Sequence, residues 1–562
     1  MRLTEQRLSK RLADERRTDG GTRTTDESDD DGPSCPGSLI VVSNRQPYRH
    51  EYADDGSGTE TAADAEGTDS GSADESPDER SIAVDEPAGG LTAGLDPVVQ
   101  QANGTWIAWG DGEADFDVTD EGNCVTVPPN EDAYTLHRID LSEEAVDSYY
   151  YGFSNQALWP LCHEFPDLIE KGDGDWSNDF AWYRTVNERF AEAVSEHATD
   201  DSVVWIQDYH FALAPRMIRQ RVPDGATIAH FWHIPWPTPQ TFAQCPEGEQ
   251  ILEGLLGNDL LGFHVDRYAA LFLDCVEEFL ADAVVDRDEQ LVRYDGGTTR
   301  LITDAMGIDA ESYDQDARSV DKEQATSLLE QYDVPADTTL ALGVDRLDYS
   351  KGIPERLSAI ERVLERNPDW HGEFTFFQKA TPSRTGIPAY QRLGELVRSE
   401  VERINSRFGT DDWQPIVYTE EYVDHENLCA LYRRAEMMVI SPLLDGMNLV
   451  AQEYVASNVD GDGVLLLSDR TGAHERLGSA TLTIDPTDTD AFASQLETAL
   501  SMPATERRRR MNTLRNRVFD GDLESWMGSQ FDEIRRVHTD SGPDDDEGSN
   551  SDRDTDAQTP PV

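Results

Sequence analysis

Short apolar runs alternate with amphipathic stretches of helix length through two successive halves of the chain. Residues 203–206, 227–229 and 260–263 read as buried strands in the first half, after a similar run at 39–42. Residues 340–344, 374–377, 416–418, 437–440 and 464–467 repeat the rhythm in the second. The stretches 269–280, 354–365 and 389–403 have the apolar spacing of helices that bury one face. Strands alternating with such helices build βαβ units and parallel sheets. The expected fold class is therefore α/β: two Rossmann-like domains that meet near Ile308 and face each other across a deep cleft. Open sheets of this kind bind ligands beyond the carboxyl ends of their strands, which makes the cleft the expected site.

A chain of 562 residues is too long for one core. The expected organisation starts with a disordered extension over 1–37 and a first domain over 38–308, interrupted by an acidic loop insertion over 51–86. A second domain follows over 309–520, then a helix over 521–538 that packs back on the first domain, and a disordered acidic tail over 539–562. The formal charge is −65, and only 5 of 47 basic residues are lysine. Residues 51–86 hold 13 acids against one arginine, and 540–562 hold 8 against one. These segments are too small to account for the total, so the folded part is itself acidic. Such a surface suits molar salt, where screening collapses self-repulsion, and a halophilic source is expected. The same field repels nucleic acid. No apolar stretch reaches membrane-spanning length, and 1–17 lacks the apolar core of a secretory signal. Cysteines 35, 124, 162, 245, 275 and 429 form no C-x-x-C pair and mostly sit in apolar contexts, so they read as buried free thiols in a reducing, cytoplasmic compartment, not as zinc ligands or disulfides.

The segment Asp-Gly-Met-Asn-Leu-Val-Ala-Gln-Glu, 445–453, follows a buried-strand run. It places Asp445 and Glu453 on either side of a turn that opens a helix, and N–H groups at a helix start can cradle a diphosphate. Arg346 and Lys351 follow another strand, and two cations there can neutralise a departing diphosphate. Lysine 351 carries extra weight in a chain that otherwise avoids lysine. Arg45 follows the first strand and Arg384 a later one; together they can grip a phosphate monoester by charge-assisted bonds. Asp208 and His233 each end a strand of the first half. Gly89 and Gly90 form a glycine turn. Trp109, Tyr150 and Trp159 offer ring faces for a sugar, although tryptophan is as commonly core.

In this order the motifs VVSNR, AGGL, FSNQALWP, WIQDYH, HIPWPTP, DLLGFH, RLDYSKG and DGMNLVAQEY carry a specific likeness over about 38–537. The chain resembles the trehalose-6-phosphate synthases, UDP-forming retaining glycosyltransferases of family 20 with the two-domain GT-B fold. The resemblance implies transfer of glucose from a nucleoside-diphosphate glucose, UDP-glucose in the first instance, to glucose 6-phosphate. It implies that Arg346 and Lys351 contact the donor diphosphate, Glu453 the ribose, and Asp445 and His233 the transferred glucose. The backbone of Gly446, Met447, Asn448, Leu449 and Val450 would line the donor site, and the Gly89–Gly90 loop would close over it. Arg45, Trp109, Tyr150, Trp159 and Arg384 would bind the acceptor phosphosugar, with Asp208 at its hydroxyls. No cofactor and no metal are implied, and the product would pass to a separate phosphatase. Only 77 residues follow Asp485, too few for a fused phosphatase domain.

Three other readings stay open. A glucosylglycerol-phosphate synthase shares the fold and most donor motifs, but the four-residue acceptor set Arg45, Tyr150, Trp159 and Arg384 suits a hexose phosphate better. A glucan-elongating synthase fits poorly, because nothing resembles an oligosaccharide-binding appendage. A catalytically silent sugar-phosphate sensor or scaffold conflicts with the intact set Arg346, Lys351, Asp445 and Glu453. A homo-oligomer is compatible with the sequence, which does not specify one.

Overall fold

The computed structural model describes residues 35–540 except 36, 54–80, 86–89, 130, 132, 170–175 and 321. Most of the expected N-terminal extension, acidic insertion and acidic tail, together with Gly89, lies outside the described residues.

β1 (Ser38–Val42) shows why the sheets are parallel and covered on both faces. Its side chains alternate, with Leu39 and Val41 entering one core and Ile40 and Val42 another. A strand buried on both sides needs helices above and below, which crossover connections supply. The other strands of the first half are β2 (Arg49–Tyr52), β3 (Ile82–Asp85), β4 (Thr105–Trp109), β5 (Cys124–Val127) and β6 (Tyr134–Ile139). They continue with β7 (Ser202–Gln207), β8 (Thr227–Trp232), β9 (Leu260–Phe263), β10 (Val284–Asp286), β11 (Leu291–Tyr294) and β12 (Gly297–Thr303). Ten of these form one sheet in the order β10-β11-β12-β9-β8-β7-β1-β4-β6-β5. Its middle is parallel from β12 to β6, and both margins end in antiparallel pairs.

The second half builds β13 (Thr339–Arg346), β14 (Phe374–Thr381), β15 (Ile416–Thr419), β16 (Met437–Ile440), β17 (Val464–Ser468) and β18 (Leu482–Ile484). All six are parallel, in the order β15-β14-β13-β16-β17-β18. Strands are added first to one side of β13 and then to the other, so the switch point lies between β13 and β16, where doubly wound sheets bind ligands. The helix Leu523–Asp540 leaves this half and returns to the first sheet. Trp526 stacks on Trp205 of β7 at 5.6 Å and meets Phe231 of β8 edge-on at 5.1 Å.

Three features differ from the sequence expectation. The ends of the acidic insertion are strand, not loop: Glu51 and Tyr52 pair with Ala83 and Ile82 in the β2–β3 ribbon. Residues 146–158 wind as a π-helix, with the Trp159 N–H bonding five residues back to Ser154. The β11–β12 hairpin turns on Asp295-Gly296, both at positive φ (50° and 83°), which is the Asp-Gly signal for a two-residue turn.

Candidate active site

β13 ends at Arg346, and a short turn over Tyr349–Lys351 leads into the helix Ile353–Arg366. Gly352, at φ 65°, makes that turn possible. A Cβ there would stand 2.1 Å from the Ser441 carbonyl oxygen at the end of β16. The buried Arg356 guanidinium then ties the corner together. It donates to Asp345 (2.6 Å), Gln378 (2.7 Å) and Ser441 Oγ (2.9 Å), and reaches the Lys351 carbonyl at 3.4 Å. Lys351, itself buried, donates from Nζ to Asp445 Oδ2 at 2.8 Å. Burial opposes ionisation of Asp445, but Lys351, His163 and the Asn448 amide hold its carboxyl below the usual value.

Across the switch point, Asn448 sits at φ 80° and caps the helix Leu449–Ser457, accepting the Ala451 N–H through its side chain. Gly446 is demanded by a close approach: a Cβ there would lie 2.1 Å from the carbonyl oxygen of His233, which follows β8 in the other half. Tyr268 of the first half donates to the Asp445 carbonyl at 2.9 Å. Met447 is buried, and Leu449 and Val450 open the helix. Glu453, one turn further, accepts the Tyr432 hydroxyl at 2.9 Å, and burial raises its carboxyl.

The first sheet faces this arrangement with Asp208 and His233. Asp208 has φ 71° and ψ 174°, a conformation that is essentially glycine's alone. It is pinned there by the Asp208 N–H donating to the Phe231 carbonyl, by His230 Nε2 at its own carbonyl, and by the His233 N–H at Oδ1. Burial raises its carboxyl to about 6 against the pull of neighbouring N–H groups, Arg384 and Arg346. His233 Nε2 lies 3.0 Å from the Gln207 side-chain amide oxygen, Oε1, and donates to it; burial, then His264 and His230, keep this ring neutral at neutral pH.

Arg384 bridges the two halves. It donates to Asp348 (3.3 Å) and Tyr390 (2.5 Å) beside it, and to the Tyr209 hydroxyl of the first half at 3.1 Å. Its guanidinium lies 4.0 Å over the Trp159 ring, and that of Arg346 lies 5.4 Å from the same ring. Trp159 is only 4% exposed. Its faces are taken up by arginines and by His163, so the ring is a platform under the cations rather than an open sugar surface. Trp109 and Tyr150 are half-buried neighbours at 5.8 Å, and Tyr150 stacks on His210. Arg45 is exposed at the end of β1; burial, Arg384 and Arg45 together hold the His210 ring well below its usual value. Gln207 Nε2, His163 Nε2, Trp159 Nε1, Arg384 Nε and both His210 nitrogens are buried without a protein partner. Such atoms are rare in folded proteins, and six of them gather in this region.

The fold thus gathers Arg346, Lys351, Asp445 to Val450, Asp208, His233, Arg384 and Trp159 at the facing ends of the two sheets. Trp109, Tyr150 and Arg45 flank them, and Gly90 begins the helix Gly90–Ala102. Asp348, Tyr209 and Tyr390 were not singled out by sequence reasoning. Asp348 is fully buried; against that burial Arg384, Arg346, Lys351 and the Ser350 N–H bring its carboxyl down to about 2. Its presence inside the Arg346–Gly352 motif was the available signal.

Residues 63–536 match the sequence profile of glycosyltransferase family 20. A trehalose-6-phosphate synthase of Mycolicibacterium vanbaalenii is 37% identical over 456 residues, 79% of this chain and 90% of that protein. A solved E. coli structure bound with UDP-2-fluoro glucose superposes with TM-score 0.75 at 30% identity, covering 89% of this chain and 99% of that one. A Burkholderia xenovorans alpha,alpha-trehalose-phosphate synthase (UDP-forming) in complex with glucose-6-phosphate gives 0.74 at 29%, covering 89% and 100%. Shared architecture, a profile match along most of the length and this level of identity lead to one conclusion: the chain belongs to glycosyltransferase family 20.

Proposed function

We propose that this glycosyltransferase moves glucose from UDP-glucose to glucose 6-phosphate, giving alpha,alpha-trehalose 6-phosphate and UDP. The observation that carries the reading is the Lys351–Asp445 ion pair at the switch point of the second sheet, facing His233 and Asp208 across a glycine-only approach. The relatives bound with UDP-2-fluoro glucose and with glucose-6-phosphate support both substrates.

In this reading Arg346, Lys351 and the N–H groups at Gly446 and Met447 hold the donor diphosphate, and Glu453 holds the ribose. Asp445 and His233 take hydroxyls of the transferred glucose. Arg384, Arg45, Tyr150 and Trp109 bind the acceptor phosphosugar, with Trp159 fixing the guanidiniums and Asp208 orienting the acceptor hydroxyls. Gly89 and Gly90 belong to the loop over the donor. Retention proceeds by displacement on the front face. The bond from C1 to the phosphate oxygen breaks, the acceptor anomeric oxygen bonds to C1 on the same side, and its proton passes to the departing phosphate oxygen. Asp445 and Glu453 are occupied with cation and hydroxyls, Asp208 with the acceptor and Asp348 with Arg384, which leaves no carboxylate free as nucleophile. Fixed positive charge where the diphosphate becomes more negative lowers the barrier. The acidic surface suits a cytoplasm of high salt, with trehalose as an osmolyte and a separate phosphatase completing its synthesis.

The test supplies UDP-, GDP-, ADP- or TDP-glucose with either glucose 6-phosphate or glycerol 3-phosphate in molar potassium chloride. Product NMR should show an alpha,alpha-linked disaccharide phosphate, with UDP-glucose the preferred donor. A product formed only with glycerol 3-phosphate would replace this reading with a glucosylglycerol-phosphate synthase. Nucleoside diphosphate release with neither acceptor beyond background hydrolysis would leave a sensor.

A further inference from the structure

Away from the cleft, the fold unites three side chains that no sequence spacing associates. Cys124 on β5 and His137 on β6 are directly opposed in the antiparallel register, so both project from the same face. His197 stands in the last turn of the helix Ser177–His197. His137 Nδ1 and His197 Nε2 are 3.0 Å apart with their rings nearly perpendicular. One ring nitrogen of each histidine and the Cys124 Sγ all lie within 4.8 Å of one another. Tetrahedral zinc, with nitrogen at about 2.0–2.1 Å and sulfur at about 2.3 Å, separates its ligand atoms by about 3.3–3.6 Å. Small side-chain rotations bring this cluster to that spacing. The Asp120 carboxylate accepts the N–H groups of Gly122 and Cys124 and so holds the turn that presents the thiol. His137 is buried while Cys124 and His197 are half-buried, which leaves one open side.

We propose that Cys124, His137 and His197 form a site for a thiophilic divalent transition-metal ion, zinc first among them, with water at the fourth position. A thiolate with two imidazoles selects zinc or cobalt over magnesium or calcium. On binding, the thiol releases its proton to solvent. The proton shared between the two rings moves to an outer ring nitrogen, so that both facing nitrogens present lone pairs. The ion would join the margin of the first sheet to the helix beneath it. The site is separate from glycosyl transfer and stands or falls independently of it.

The experiment strips the full chain with a chelator and titrates it with Co²⁺. The chain's 112 acids bind divalent ions loosely through oxygen, but oxygen ligands produce no thiolate charge-transfer band. Wild type should develop that near-ultraviolet band together with the visible bands of tetrahedral cobalt. It should saturate at one equivalent and be discharged by Zn²⁺. Cys124→Ser should lose the band, and His197→Gln should bind at least tenfold more weakly, both with unchanged circular dichroism. No band in wild type, or an equal band in Cys124→Ser, would overturn the site. Retained affinity in His197→Gln would overturn the three-ligand assignment.

Discussion

Lys351 sits within 2.8 Å of Asp445 and has its carbonyl held by Arg356, so its ammonium is placed by the fold rather than by solvent. A charge fixed in advance contributes more to a transition state than one that must be gathered. Lys351→Ala is predicted to lower kcat about 10²–10³-fold, roughly 3–4 kcal/mol. Turnover within a few-fold of wild type would remove Lys351 from the chemistry. Asp208 gives a pH prediction. Its carboxyl, raised to about 6, is ionised above that pH and protonated below it. If the ionised form orients the acceptor, kcat/KM should fall about tenfold per unit as the pH drops below 6, and level off above it. Asp208→Asn should lack this limb; a limb of the same position in the variant would assign the titration elsewhere. Because the folded value lies above the ordinary one, ionised Asp208 weighs against folding at pH 7. That burden lifts as the pH falls through 6.

At the scale of elements, one glycine and one helix set the relation between the halves, and a second glycine closes a corner within the second half. Gly446 lets the turn after β16 touch the His233 backbone, and Gly352 lets the turn after β13 touch Ser441. The helix Leu523–Asp540 does the same work by burial, inserting Leu523, Trp526, Met527, Phe531 and Ile534 into the core with β1, β7 and β8. Trp526→Ala is predicted to cost about 3–5 kcal/mol, the usual range for removing a buried tryptophan. Denaturant unfolding should show the midpoint falling; a change under about 1 kcal/mol would mean the helix adds little to the first half. The apolar spacing of Leu523, Trp526 and Phe531 made this helix legible beforehand. The hairpin at Asp295-Gly296 went unread although its turn dipeptide signalled it, because its strands are short and half-exposed and lack a continuous apolar run. The π-helical turn at 146–158 was not legible, since its hydrogen bonds are selected by the packing of Tyr149, Phe153 and Leu158 into the core.

For the whole molecule, the decisive quantity is charge. At −65, self-repulsion opposes compaction, and arginine supplies nearly all the counter-charge. Arg403 and Arg407, for example, both pair with Glu361 on the neighbouring helix. Raising potassium chloride from about 0.1 M to about 1 M shortens the screening length from about 10 Å to about 3 Å. The unfolding temperature is predicted to rise across that range and activity with it. A flat or falling curve would show that the acidic surface is not an adaptation to salt.

The alternation of apolar runs determined the parallel sheets, because a strand buried on both faces has few other ways to satisfy its backbone. The motif order determined the residues carried to the strand ends. Tertiary structure alone decided which of them meet. Asp348 earns its depressed carboxyl from Arg384, 36 residues away, Trp159 becomes a floor for two guanidiniums, and Cys124 finds His137 and His197. These pairings depend on register, crossover and the angle between two lobes. Such properties belong to the summed packing of the chain, and no local stretch of sequence contains them.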